Sequence, residues 1–252
     1  MLIKYHMKAG ILYLYLFLGL SIMASCQRKP DPPPDPITEK KEVKYVDYVF
    51  SGFTVKIKDT YINTPDAKTA LTLIESDLKE IVELIPLSAL ELMRLKPIWL
   101  EKDIQKDGAA WYHPNREWLI QNAMNPEKAK CVEINNYVNY VSWVKMNQPF
   151  MVLHELAHLY HDQKLSFDNA EILAAYNNAV ENKLYYKVER HDGSGKYSVV
   201  DKAYALTNHH EYFAELSEAY FGLNDFFPYT REELIEYDPK GYEVIHQIWN
   251  IQ

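Results

Sequence analysis

Apolar and polar residues alternate with period two over 53–58, where Phe53, Val55 and Ile57 are separated by Thr54 and Lys56. That pattern predicts a half-buried strand. The period then changes. Leu71, Ile74, Leu78, Ile81 and Val82 recur at helical spacing and predict a helix from about 66 to 84. A shorter helix near 87–92 and a strand near 98–101 follow, and Val132-Glu133-Ile134 reads as a further strand, with Cys131 before it as a small apolar residue. Phe150, Met151, Leu153, Leu156, Ala157 and Leu159 then form an apolar run of helical period. Gln148-Pro149 stands just ahead of it, and proline suits a first helical turn because its missing N–H leaves no bond unmade. More helices are expected near 169–184, 211–221, 231–236 and 242–249. Strands come early and helices late, which predicts an α+β fold with a small early sheet and a mostly helical C-terminal part.

The first 45 residues do not share this patterning. Lys4 and Lys8 precede an apolar stretch over 11–23 that is short for a membrane span, and Ala24-Ser25 supply small residues before Cys26. Met23-Ala24-Ser25-Cys26 resembles a bacterial lipoprotein signal, which implies removal of 1–25, lipidation of Cys26, and export to the cell envelope on a lipid anchor. An uncleaved anchor is the alternative, and it too places the domain outside the cytoplasm. Pro30, Pro32, Pro33, Pro34 and Pro36 lie in a charged stretch that cannot bury a core, so 26–45 is expected to be an extended tether. The remaining 46–252, about 207 residues, suits one globular domain.

Charge narrows the partners. The formal net charge is -8 and becomes -10 once Lys4 and Lys8 leave with residues 1–25. With no basic run and no glycine-rich phosphate loop, nucleic-acid binding is not expected. The chain has two cysteines, so setting Cys26 aside leaves Cys131 alone and no intrachain disulfide is available.

The chemistry concentrates at His154-Glu155-Leu156-Ala157-His158. On a helix, histidines four residues apart project from one face on successive turns and can reach a single ion. Glu155 would then lie beside the metal, placed to take a proton from a water that zinc has acidified. A buried amphipathic helix whose histidines are satisfied by hydrogen bonds is the plain alternative. His161 continues the stripe and is a candidate to line the cleft or to support a ligand from behind. A metzincin would need glycine at 161 and histidine at 164, and this chain has His161 and Lys164, which excludes that group.

A catalytic zinc usually has three protein ligands, so one more must come from elsewhere. Glu211, Glu215 and Glu218 share one helix face at four-and-three spacing. Asn208 could cap that helix with Glu211 at the third position, a capping-box spacing that needs no metal and would leave Glu215 as the ligand. The two segments, His154 to His158 and Tyr204 to Glu215, resemble the catalytic domain of the anthrax lethal factor family of gluzincin metallopeptidases. They are also similar to uncharacterised bacterial secreted proteins that share the Leu-His-Glu-Leu-Ala-His and Glu-Tyr-Phe-Ala-Glu runs. The resemblance covers roughly the C-terminal half of the mature chain, and nothing in it extends to the toxin's receptor-binding or substrate-groove domains. It implies a zincin-like fold, one Zn2+ held by His154, His158 and Glu211, and a tyrosine at 204 that assists catalysis. Glu215 would then accept an imidazole N–H. It also implies an edge strand over 108–113 that would align a peptide by backbone pairing.

The expectation is therefore an exported, lipid-anchored zinc metallopeptidase acting on peptides or proteins, with Glu155 as general base and Tyr204 at the oxyanion. The alternatives are a zinc hydrolase with a non-peptide substrate and a zinc-containing surface protein that binds peptide without cutting it.

Overall fold

The computed structural model describes residues 43–249. The expected signal segment, Cys26 and most of the tether lie outside the described residues.

Two strands open the domain, β1 (Tyr45–Phe50) and β2 (Phe53–Lys58). They pair antiparallel through a two-residue turn in which Ser51 and Gly52 both take positive φ, 49° and 85°. Such a turn carries the twist that a tight hairpin requires. The sequence pattern places the start of the domain at 46 and predicts no strand there. β1 is easily missed because only one of its faces meets the core.

Helix α1 (Pro65–Leu84) follows, with the Thr64 side chain accepting from Ala67 N and proline at its first position. Next come α2 (Leu87–Met93), β3 (Ile98–Leu100), β4 (Ala110–Tyr112), α3 (Arg116–Gln121) and β5 (Val132–Ile134). The sheet order is β1-β2-β3-β5-β4. β2, β3 and β5 run parallel, with Val55 beside Ile98 and Ile98 beside Val132. β4 closes one edge antiparallel to β5, within the span predicted as an edge strand.

The second half is helical: α4 (Tyr137–Met146), α5 (Met151–Tyr160), α6 (Ala170–Glu181), α7 (His209–Phe221), α8 (Arg231–Tyr237) and α9 (Pro239–Trp249). A hairpin of β6 (Tyr186–His191) and β7 (Tyr197–Lys202) interrupts it. The fold is mixed α and β, with a small early sheet and a mostly helical C-terminal part. Three of these elements, α3, α4 and the β6–β7 hairpin, are not predicted by the sequence pattern.

Helix α5 is the centre of the domain, with all ten of its residues buried. It packs against β4, β5, α1, α2 and α7. Leu153, Leu156 and Leu159 are at most 1% exposed, and each contributes about 1.5–3 kcal/mol of burial. This placement leaves the polar residues of α5 little contact with bulk water, so most of their partners come from within the fold.

Candidate metal centre

Helices α5 and α7 lie against each other and present their polar residues to one shared space. α7 begins at Asn208, whose side chain accepts from the backbone N–H groups of His210 and Glu211 at 2.8 and 3.0 Å. Asn208 thus caps the helix, as the sequence allowed. The Glu211 side chain does not complete a capping box but turns toward α5.

His154 Nε2, His158 Nε2 and Glu211 Oε2 stand 3.1 Å apart on all three edges of a triangle. Hydrogen bonds alone do not explain this triangle. His154 Nδ1 lies 2.7 Å from Glu218 Oε1, the geometry of a ring N–H donating to a carboxylate. A neutral His154 holding that bond has a lone pair on Nε2, which then faces a carboxylate oxygen and a second imidazole nitrogen. Converging lone pairs call for a cation between them. Two imidazole nitrogens and one carboxylate oxygen are a donor set suited to zinc, and ligands at about 2.0–2.1 Å in a tetrahedral shell stand roughly 3.3 Å apart. The triangle fits that shell.

Without a metal, a proton on His154 takes the place of that cation. Burial pushes the His154 imidazole toward neutrality, yet the carboxylates of Glu211 and Glu218 outweigh it and hold its pKa well above the ordinary histidine value. Burial acts on Glu211 in the opposite sense, but hydrogen bonding and charge from His154 and His158 hold its carboxyl well below the usual carboxylate range. Glu155 is 8% exposed and opens on the same cavity. Burial lifts its pKa above the ordinary value, with the two histidines pulling the other way. A carboxylate shifted in that direction is better matched to proton transfer near neutral pH.

Tyr204 sits on a single 3-10 turn, Tyr204–Leu206, between β7 and α7. Its ring centroid is 6.2 Å from that of His154, and the side chain borders the cavity. Burial, reinforced by Glu211, pushes its pKa up to about 12, so the phenol remains a proton-bearing donor at neutral pH. The five residues His154, Glu155, His158, Tyr204 and Glu211 thus all line one cavity of about 520 Å³.

Two expectations change. Glu215 Oε1 is 3.8 Å from His154 Nδ1, beyond hydrogen-bond reach, and the other Glu215 oxygen accepts from Asn224 Nδ2 at 3.2 Å. The acceptor behind His154 is Glu218, because seven residues along α7 from Glu211 complete two turns and return closer to the same face than four do. His161 is fully buried and does not border the cavity. Its ring nitrogens have no hydrogen-bond partner, and it packs 5.0 Å from the Phe213 ring and 5.2 Å from that of Phe167. Burial drives its pKa down to about 3, with the neighbouring histidines adding to the effect. His161 is a neutral packing residue here.

The sequence pattern did not single out Arg190, Asp225 or Tyr112. Tyr112 donates to Asp162 at 2.5 Å, and Lys130 and Gln163 meet the same carboxylate oxygen at 2.6 and 2.7 Å. These contacts tie edge strand β4 to the π-helical turn His161–Leu165 that ends α5, fixing one cavity wall relative to the histidines. No family model, curated protein or solved structure matches the chain.

Proposed function

We propose that this chain is a zinc-dependent peptidase with a zincin-like catalytic domain, exported and held at a membrane through a lipid on Cys26. The observation that carries the reading is the 3.1 Å triangle of His154 Nε2, His158 Nε2 and Glu211 Oε2, with Glu155 opening on the same cavity. The three residues would hold one Zn2+. A zinc ion bound in this way supplies Lewis acidity and lowers the pKa of a coordinated water to about 7.

The remaining chemistry falls to side chains of this chain. Glu155 takes the proton of the attacking water and delivers it to the leaving amine. Tyr204, protonated and bordering the cavity, donates a hydrogen bond to the oxygen on which negative charge develops. Glu218 holds His154 in the tautomer that directs Nε2 at the metal. The outer edge of β4 runs along the cavity through Ala110 and Trp111 and has no strand partner among the described residues, so it would pair with an extended peptide. A protein that only bound zinc for stability would use four protein ligands and would have no need of Glu155 beside them.

The test is incubation of the zinc-loaded protein with a diverse peptide mixture, with and without chelator. Cleavage that chelator abolishes and zinc restores is the expected result. Bound zinc at one equivalent with no peptide cut would reject the peptidase assignment and leave the metal site standing.

A further inference from the structure

Arg190 is the one lysine or arginine among the described residues that border the cavity. It lies on β6, and a backbone bridge to Phe226 pins that strand to the segment after α7. Its Nε and Nη2 both meet Asp225 Oδ2 at 2.8 Å, while the guanidinium carbon stands 4.9 Å from the centroid of the Phe226 ring. Asn147 Nδ2 and Gln148 Nε2 approach the same Asp225 oxygen at 3.3 and 3.4 Å. The guanidinium is therefore held in place along one edge and from below.

Two of its five N–H groups are used, and the other three have no acceptor among the described residues. The side chain is 39% exposed. The unused edge offers parallel N–H groups, a shape that matches the two oxygens of a carboxylate.

The carboxylates around the cavity are in the opposite situation. Glu211 faces the two histidines, Glu218 accepts from His154, Glu215 accepts from Asn224, and Asp225 is shared among Arg190 and two amides. Glu155 is reserved for proton transfer. Glu211, Glu218, Glu215 and Asp225 each already meet a partner within the fold, whereas an anionic group entering the cavity would find spare donors on Arg190.

We propose that Arg190 is a specificity-determining residue that binds a carboxylate of the substrate. The inference rests on the peptidase reading and narrows its substrates to peptides carrying an acidic group near the scissile bond. That group is either a free C-terminal carboxylate or the side chain of Asp or Glu. The C-terminal case makes the enzyme cut near the end of chains, and the side-chain case makes it cut within them.

The two sources separate in a binding experiment that needs no turnover. The full-length chain carrying Glu155→Gln is loaded with zinc and titrated with N-acetyl tripeptides as free acids and as C-terminal amides. A second set holds the amide constant and exchanges Glu for Gln at one position. Tighter binding of one acidic member by at least ~10-fold is expected, as for a charge-assisted bidentate contact. The preference should vanish in Arg190→Gln and shrink in Arg190→Lys, which keeps the charge but loses the fork. Zinc content and melting temperature of each variant report on folding, and if Arg190→Gln does not fold, Arg190→Lys carries the comparison. Equal binding within every pair, or a preference that survives Arg190→Gln, overturns the proposal and leaves Arg190 as a clamp for the hairpin. An acidic preference in a protein whose wild type cuts no peptide upholds the carboxylate site and rejects the peptidase reading.

Discussion

Replacing Glu218 with Gln tests whether the buried acids of α7 serve the metal or merely fill the fold. Glu218 Oε1 lies 2.7 Å from His154 Nδ1, and the residue is 5% exposed, so the bond is short, charge-assisted and shielded from water. Gln keeps a carbonyl oxygen in place, so the hydrogen bond survives as a neutral one. A charged hydrogen bond contributes about 1.5–3 kcal/mol and a neutral one about 1, which leaves a loss of roughly 1–2 kcal/mol in orientation and basicity of His154. That loss converts to a zinc affinity weaker by about 10-fold, inside the 10- to 100-fold span for partners behind a metal ligand. The metal-free protein should respond in the other direction. Burial raises the pKa of Glu218, helped by Asp225 and Glu155 though opposed by His154. Removing its charge relieves part of that crowding, so the melting temperature without metal should hold or rise while zinc affinity falls. Competition with a fluorescent zinc chelator gives the affinity, and calorimetry in chelator gives the stability. The parallel variant Glu215→Gln, 3.8 Å from the same nitrogen, should keep zinc affinity within about 2-fold. Normal zinc binding in Glu218→Gln together with a 10-fold loss in Glu215→Gln would refute this account of which acid supports the histidine.

Three further outcomes are expected. Glu211→Gln removes the one charged donor of the triangle, so zinc affinity should fall by far more than the ~100-fold limit for a supporting residue, read by the same competition; retained zinc with ~1 kcal/mol of lost stability would instead mark Glu211 as a cap residue. Tyr204→Phe should lower kcat by about 10- to 1000-fold with zinc content unchanged, since it deletes one donor to the oxyanion, and an unaltered kcat would remove Tyr204 from the mechanism. Asp77, on the buried face of α1 and accepting from Tyr140 at 2.5 Å, has its pKa raised by burial from 3.8 to about 7, although the tyrosine bond pulls it down. Its protonated form is favoured by the fold, so the stability it contributes is fully present below pH ~4 and is lost as pH rises toward ~7. Asp77→Asn should therefore flatten the decline in stability between about pH 4 and 8 by up to a few kcal/mol, measured by denaturant titration in chelator, and an unchanged pH slope would contradict the shift.

The elements that the sequence foretold are those whose apolar faces meet the core. Phe53, Val55 and Ile57 alternate because one side of β2 is sealed, and Leu71, Ile74 and Leu78 recur because one face of α1 is. The β6–β7 hairpin meets the core only through the facing pair Val188 and Val200, while Tyr186, Tyr197 and Val199 are 43–67% exposed, so its period-two pattern carries little hydrophobic contrast. Helix α4 was hidden for a different reason. Its sequence is rich in β-branched and aromatic residues, and the helix signal rests on Asn136, whose side chain accepts from Val138 N and Asn139 N. At the site, the pairing of His154 with His158 was legible because residues four apart share a helix face, whereas Glu211 was favoured over Glu215 only through the family resemblance. The choice between Glu215 and Glu218 was not legible, since both lie on the α7 face that meets α5 and only the relative position of the two helices decides which reaches Nδ1. Arg190 and Asp225 were invisible for the same reason, being 35 residues apart and brought together by a backbone bridge between Arg190 and Phe226 that no local pattern announces.

The charge state of the site explains why such a helix can be the most buried in the domain. Six ionisable side chains, His154, Glu155, His158, Glu211, Glu215 and Glu218, meet between α5 and α7, and four of them are acids. Burying unpaired carboxylates costs several kcal/mol each, so a stable fold must neutralise them. Without metal, protons do this work: burial and neighbouring acids raise the pKa values of Glu215 and Glu218, and Glu211 and Glu218 hold the pKa of His154 well above its ordinary value. A divalent cation held by these three residues, as proposed, would supply positive charge to Glu211 and would polarise His154 so that its Nδ1–H holds Glu218 more firmly. On the proposed reading, proton and metal would compete for one electrostatic role, and metal binding would expel the proton of His154. The acidic stripe of α7 is thus matched to the two histidines of α5: either half alone would be a buried liability, and together with one cation they would form a satisfied core.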